Sequence, residues 1–188
     1  METALSVVVG WGDERDALRL GALLAKGVEK LPASLTICLR GGLGSGKTTL
    51  VRGLCAALPG GDEAEVSSPS FTIVNIYPTR PEVMHMDLYR LEGLVTDDLF
   101  EECAPPPAPG AVRLTVIEWA EYLPQRMTPN DRLTLTWLAC ETGRKARFEA
   151  RGPVAEGLLQ EMTPGLADFA VHDLDGDERT DAGRGVRP

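Results

Sequence analysis

Apolar residues recur at spacings of three and four between positions 13 and 30. Ala17, Leu20, Leu24 and Val28 share one face, with Asp13, Arg15, Lys26 and Glu29 outside it. This period predicts an amphipathic helix, closed by Pro32. An unbroken apolar run at 35–39 predicts a buried strand. Glycines follow, and 48–58 return to helical spacing before Pro59-Gly60-Gly61 stop them. Residues 66–69 have loop composition. Positions 71–77 and 83–89 predict strands on either side of the turn-like Pro78-Thr79-Arg80-Pro81, and 96–103 a short acidic helix. The proline run at 105–109 suits neither element and is expected as a loop. A second buried strand is expected at 114–117, ending at Glu118. Leu133, Leu135 and Trp137 alternate with Thr134, Thr136 and Leu138, and 144–151 are expected to pair with them as a hairpin. A last helix is predicted over 153–162. The pattern describes one domain over 1–165. Residues 166–188 form a tail expected to be disordered, because from Asp173 onward it is Asp, Gly and Arg with almost no bulky apolar residue.

Composition narrows the classes. The chain has 188 residues, 43% of them hydrophobic and 25% charged, an ordinary globular balance. Its net charge of -9 makes it a poor stand-alone ligand for nucleic acid, since no basic field displaces phosphate counterions. The four cysteines have no Cys-x-x-Cys spacing and neither His85 nor His172 lies near one, so no zinc site is expected. Reduced thiols point to the cytoplasm. The start of the chain is not basic and its apolar run at 7–9 is short, so neither a signal peptide nor a membrane span is expected.

Between the strand at 35–39 and the next helix lies Gly41-Gly42-Leu43-Gly44-Ser45-Gly46-Lys47-Thr48, a full match to G-x-x-x-x-G-K-[ST]. Glycines let the backbone curl so that successive N–H groups face phosphate oxygens, and the following helix turns its positive end to the same anion. Lys47 is placed to reach the β- and γ-phosphates, and the Thr48 hydroxyl to ligate magnesium. Such a loop is usually served by a carboxylate at the end of a second strand, and Glu118 stands there. Asp87, in apolar surroundings, has two readings: it serves the metal or the attacking water, or it pairs with Arg90 as an edge-strand charge. The hydroxyl-rich stretch 67–72 follows the loop's helix, where switch proteins sense the γ-phosphate, though Ser and Pro also make ordinary loops.

These pieces together resemble the TsaE (YjeE) family, small P-loop ATPases of bacterial tRNA threonylcarbamoyladenosine synthesis. The resemblance rests on the loop with Thr49 and Arg52-Gly53, on Ser68-Pro69-Ser70-Phe71-Thr72, on His85-Met86-Asp87-Leu88-Tyr89-Arg90-Leu91, and on Ile117-Glu118-Trp119. It covers about residues 13–150. It implies an α/β fold with a mainly parallel sheet flanked by helices and a late antiparallel hairpin. It implies ATP held by Gly42, Leu43, Gly44, Ser45, Gly46, Lys47, Thr48 and Thr49, with Asp13, Glu14, Gly143 and Arg144 on the base or ribose side. Thr48, Glu118 and Asp87 are implied at Mg2+, Lys47, Asp87 and Glu118 in catalysis, and Ser70, Thr72 and Trp119 as switch positions. The implied partners are a threonylcarbamoyl-transferase subunit and its paralogue (TsaD and TsaB type), so that tRNA is met only through them.

Gly42 and Ser70 depart from the family's usual Asp and Thr, and the run at 105–109 and the tail look like additions. A GTPase would need an Asn-Lys-x-Asp guanine reader, which the chain lacks; its Asp-x-x-Gly match, at 173–176, lies in the tail. A small-molecule or nucleoside kinase, with Arg144, Arg147 and Arg151 as a lid, and a nucleotide-gated binding module remain as alternatives.

Overall fold

The computed structural model describes residues 5–103 and 106–169. One seven-stranded sheet organises it, in the order β1-β7-β6-β2-β5-β4-β3. The strands are β1 (Leu5–Trp11), β2 (Leu35–Arg40), β3 (Val74–Tyr77), β4 (Glu82–Asp87), β5 (Arg113–Glu118), β6 (Arg132–Leu138) and β7 (Arg144–Arg151). The helices are α1 (Glu14–Val28), α2 (Lys47–Ala57), α3 (Asp97–Cys103) and α4 (Pro153–Leu166). The centre, β6-β2-β5-β4, is parallel, while β3, β7 and β1 each pair antiparallel with their neighbours. The expected parallel core and late hairpin, β6–β7, are therefore both present.

Alternation along the strands sorts two apolar layers. Ile37, Leu39, Leu114, Val116, Leu133 and Phe148 pack with α1, α2 and α4, whereas Cys38, Met84, Met86 and Ile117 pack with Val95, Ala120 and Leu123 on the other face. Helix α1 lies directly on α2. A Cβ on Gly21 would run into the Leu50 carbonyl oxygen, and one on Gly53 into the Leu18 carbonyl oxygen, so the two backbones nearly touch. Asp13 caps α1, its carboxylate accepting from the N–H groups of Arg15 (2.9 Å) and Asp16 (3.1 Å).

Several boundaries differ from the pattern. The short apolar run at 7–9 is the middle of β1, an edge strand whose Val9 and Trp11 are buried while Ser6 and Val8 face outward. The strand expected at 71–77 begins only at Val74, because the Ile73 N–H closes a turn onto Pro69 O (2.7 Å) with Ile73 at φ 65. The strand expected to reach Tyr89 stops at Asp87, where the chain turns into a 3-10 segment, Tyr89–Leu91. Helix α4 runs past Met162 despite Pro164, which falls in the last turn. The folded body continues to Phe169, 6% exposed, beyond the expected limit at 165. The rest of the expected tail, and the first residue of the proline run at 105, lie outside the described residues. No helix among the described residues is long and apolar enough to cross a membrane.

Candidate functional site

The strand-to-helix turn after β2 is built from left-handed glycines. Gly44 has φ +72 and Gly46, immediately before α2, has φ +100. Side chains are disfavoured there, and the turn aims the N-terminal end of α2 into a cleft of about 440 Å³. Lys47 is the first residue of α2 and is 4% exposed. Its ammonium donates to Gly41 O (2.7 Å) and Gly42 O (2.9 Å) and lies 4.3 Å from the centre of the Trp119 ring. Burial pulls its pKa below the ordinary lysine value, and the carboxylates of Glu118, Glu121 and Asp87 act in the opposite direction.

Two parallel strands bring their last residues to this loop. Asp87 and Glu118 are register partners at the ends of β4 and β5, 4% and 3% exposed. The Thr48 hydroxyl donates to Glu118 Oε1 at 2.7 Å, and His85 Nε2–H donates to the same oxygen at 2.9 Å. Asp87 accepts from the Ser68 hydroxyl on Oδ2 (2.8 Å) and from the Tyr89 N–H on Oδ1 (2.9 Å). Arg90 turns elsewhere: its guanidinium lies 4.3 Å from the centre of the exposed Phe71 ring. Of the two readings of Asp87, the edge pair with Arg90 is therefore not formed.

Ser68 joins Ser70 (2.9 Å) and so ties the serine loop to the carboxylates. Trp119, in the left-handed region at φ 56, stacks on Tyr122 (5.8 Å, 9°) and leans on Tyr89 (4.8 Å).

Glu14, Leu43, Gly44, Ser45, Gly46, Lys47, Thr48, Thr49, Ser70, Asp87, Glu118, Trp119 and Arg144 all line the cleft. Gly42 and Gly143 line a second cleft of about 540 Å³ across the loop, which Arg144 also borders while donating to Ser45 O at 2.9 Å. Two expected residues line neither cleft. Asp13 spends its carboxylate on the α1 cap, and the Thr72 hydroxyl donates to Asn75 Oδ1 (3.0 Å). His85, Ser68 and Tyr89 stand within segments that carry the resemblance, but the sequence assigns none of them an individual role. Their places follow from contacts with the strand-end carboxylates: His85 from the register of β4 with β5, Ser68 from its bond to Asp87 19 residues away, and Tyr89 from its N–H on Asp87.

A parallel-centred sheet, a glycine turn between strand and helix, and carboxylates at two neighbouring strand ends define a P-loop NTPase-like protein. More narrowly, residues 12–147 match the family described as Threonylcarbamoyl adenosine biosynthesis protein TsaE, and the chain belongs to that family. A tRNA threonylcarbamoyladenosine biosynthesis protein TsaE from Aquifex aeolicus is 34% identical over 136 residues, covering 72% of this chain and 90% of the relative. The like-named protein of Synechocystis is 42% identical over 98 residues, 52% of this chain and 61% of the relative's length. The crystal structure of Bacillus subtilus YdiB superposes with a TM-score of 0.65 at 22% identity, over 88% of this chain and 99% of that one, which shows the shared fold.

Proposed function

We propose that this TsaE-family protein binds ATP with magnesium at the glycine loop and hydrolyses it, and that hydrolysis supports repeated turnover by a tRNA threonylcarbamoyl-transfer complex. One observation carries the proposal: the 2.7 Å hydrogen bond from Thr48 to Glu118, which brings the loop's hydroxyl and the β5 carboxylate together. The donor set of Thr48, Glu118 and Asp87 is all hard oxygen, which suits magnesium. Among the described residues no group of three or more His, Cys, Asp and Glu side chains is placed to hold a metal by itself. That fits an ion shared between one or two carboxylates and substrate phosphates. Magnesium, when bound, neutralises charge developing on the phosphate oxygens.

The chain's own residues do the rest. Gly44 and Gly46 leave the loop open to close approach by phosphate, and Lys47 exchanges the Gly41 and Gly42 carbonyls for phosphate oxygens. Asp87, held by Ser68 and Tyr89, accepts a hydrogen bond from the attacking water, and Ser68 and Ser70 link that position to the loop at 67–72. Trp119, backed by Tyr122, walls the cleft on the Lys47 side. The partners are proposed to be the TsaD- and TsaB-type subunits in the cytoplasm, with tRNA met through them.

The test is magnesium-dependent hydrolysis of ATP, with GTP as control, by the chain alone and with the two partner subunits from the same source. Slow ATP-selective turnover that rises with the partners is the expected result. Fast turnover indifferent to them would remove the family role and favour a small-molecule kinase. Nucleotide binding without turnover under either condition would leave a gated binding module.

A further inference from the structure

His85 is the most deeply buried titratable side chain next to the cleft, at 0% exposure, and the proposed chemistry gives it no part. It stands on β4 one pleat before Asp87, so both side chains leave the same face of the strand. A fully buried imidazole must satisfy both ring nitrogens to avoid a desolvation cost. Nε2–H donates to Glu118 Oε1 at 2.9 Å. Nδ1 lies 3.5 Å from Tyr77 Oη, whose one proton is shared between that nitrogen and the closer Ser67 O at 3.2 Å, at the start of the serine loop. Burial raises the Tyr77 pKa, which keeps the phenol an O–H donor.

Two groups hold Glu118 Oε1, the Thr48 hydroxyl and the His85 ring, so Oε2 is the oxygen left for the cleft. Thr48 already has work under the proposed reading, because its hydroxyl is assigned to magnesium. His85 has none, and it is anchored through Tyr77 on its far side. We propose that His85 is a positioning residue that fixes the rotamer of the metal-side carboxylate Glu118, and that Tyr77 braces it against the serine loop. Partners of this kind orient metal-binding carboxylates, and their loss typically weakens metal affinity about ten- to a hundredfold. The inference rests on the magnesium reading of the site.

The experiment measures Mn2+, as a magnesium surrogate, by electron paramagnetic resonance in the presence of ADP, with ADP affinity measured separately in chelator. The full chain is compared with His85→Leu and His85→Gln. His85→Leu is expected to weaken Mn2+ binding about tenfold or more while metal-free ADP affinity is unchanged. His85→Gln offers an amide N–H to Glu118 and is expected to recover most of the loss. Wild-type Mn2+ affinity in His85→Leu, or a glutamine variant no better than the leucine one, overturns the proposal. If His85→Leu does not fold, His85→Asn replaces it, being polar but too short to reach Glu118; reduced affinity then supports the proposal and wild-type affinity overturns it. If the unaltered chain binds no Mn2+ with ADP, the magnesium reading falls and this inference with it. Metal binding by every variant at the wild-type level removes only the role of His85.

Discussion

At the scale of single residues, Lys47 carries the sharpest consequence. It is nearly buried, its charge is opposed by desolvation that the carboxylates of Glu118, Glu121 and Asp87 offset only in part, and its partners are two backbone carbonyls, the Ser45 hydroxyl at 3.5 Å and an aromatic face. A cation kept in such a place lowers stability unless an anion joins it. Lys47→Ala is therefore expected to weaken ATP binding by about 1.5–3 kcal/mol, the range for hydrogen bonds to charged groups. In the absence of nucleotide its thermal midpoint is expected to be no lower than that of the unaltered chain. Calorimetric titration and a melting curve on the same sample check both, and unchanged ATP affinity would sink the phosphate-loop assignment. The residues at 41–48 are legible in the sequence because the chemistry is contiguous there. Asp87 is less so: its carboxylate is held by Ser68, 19 residues away, and not by the nearby Arg90 that offered the plainest pairing. His85 is legible least of all, since what distinguishes it is a neighbour on another strand.

Whole elements place these residues, and the contact that matters most is the seam between α1 and α2. Gly21 and Gly53 let the helices meet backbone to backbone, which sets the start of α1, with Glu14, beside the glycine loop. An exposed ion pair, Arg52 to Glu14 at 3.6 Å, crosses the same seam and adds little, as surface pairs do. In Gly53→Ala the new methyl meets the rigid Leu18 backbone and has no flexible side chain to displace. Overpacking of this kind costs about 1–3 kcal/mol, and the helices must separate to relieve it. The expected outcome is a lower urea midpoint and a weaker ATP affinity together; a fully stable variant would show that the seam is looser than the contacts imply. At this scale the sequence read well wherever an element's period was long, as in α1, α2 and the β6–β7 hairpin. It read poorly for β1, a seven-residue edge strand stabilised by its pairing with β7, and for residues 71–73, where a turn with Ile73 in the left-handed region displaces strand geometry.

On the scale of the whole molecule, the net charge of -9 hides an uneven distribution. Register puts Arg40, Arg132, Lys145, Arg147 and Arg151 on one face of the β7-β6-β2 half-sheet, with Glu149 as the acid among them. Burial lowers the pKa of Arg132, and Arg151 and Arg40 lower it further by like-charge repulsion, so these cations sit close together. The rest of the chain is correspondingly more acidic than the total suggests. Such a strip attracts polyanions only at close approach, and at physiological salt, where charges further apart than the Debye length of about 8 Å are largely screened, it cannot draw them in from a distance past the surrounding acids. Contacts to a few phosphates are weak to begin with and weaken further as counterions are added. The chain alone is therefore expected to retard tRNA weakly at about 20 mM salt and not at all at about 150 mM, where the Debye length has shortened to under half. With the proposed TsaD- and TsaB-type subunits present, tRNA is expected to be retained at the higher salt, because on that proposal it is met through the partners and not through this chain. Mobility shifts over that salt range, with and without the partners, measure both. Salt-resistant retention by the chain alone would mean that the basic strip outweighs the acidic remainder, and that tRNA is met directly.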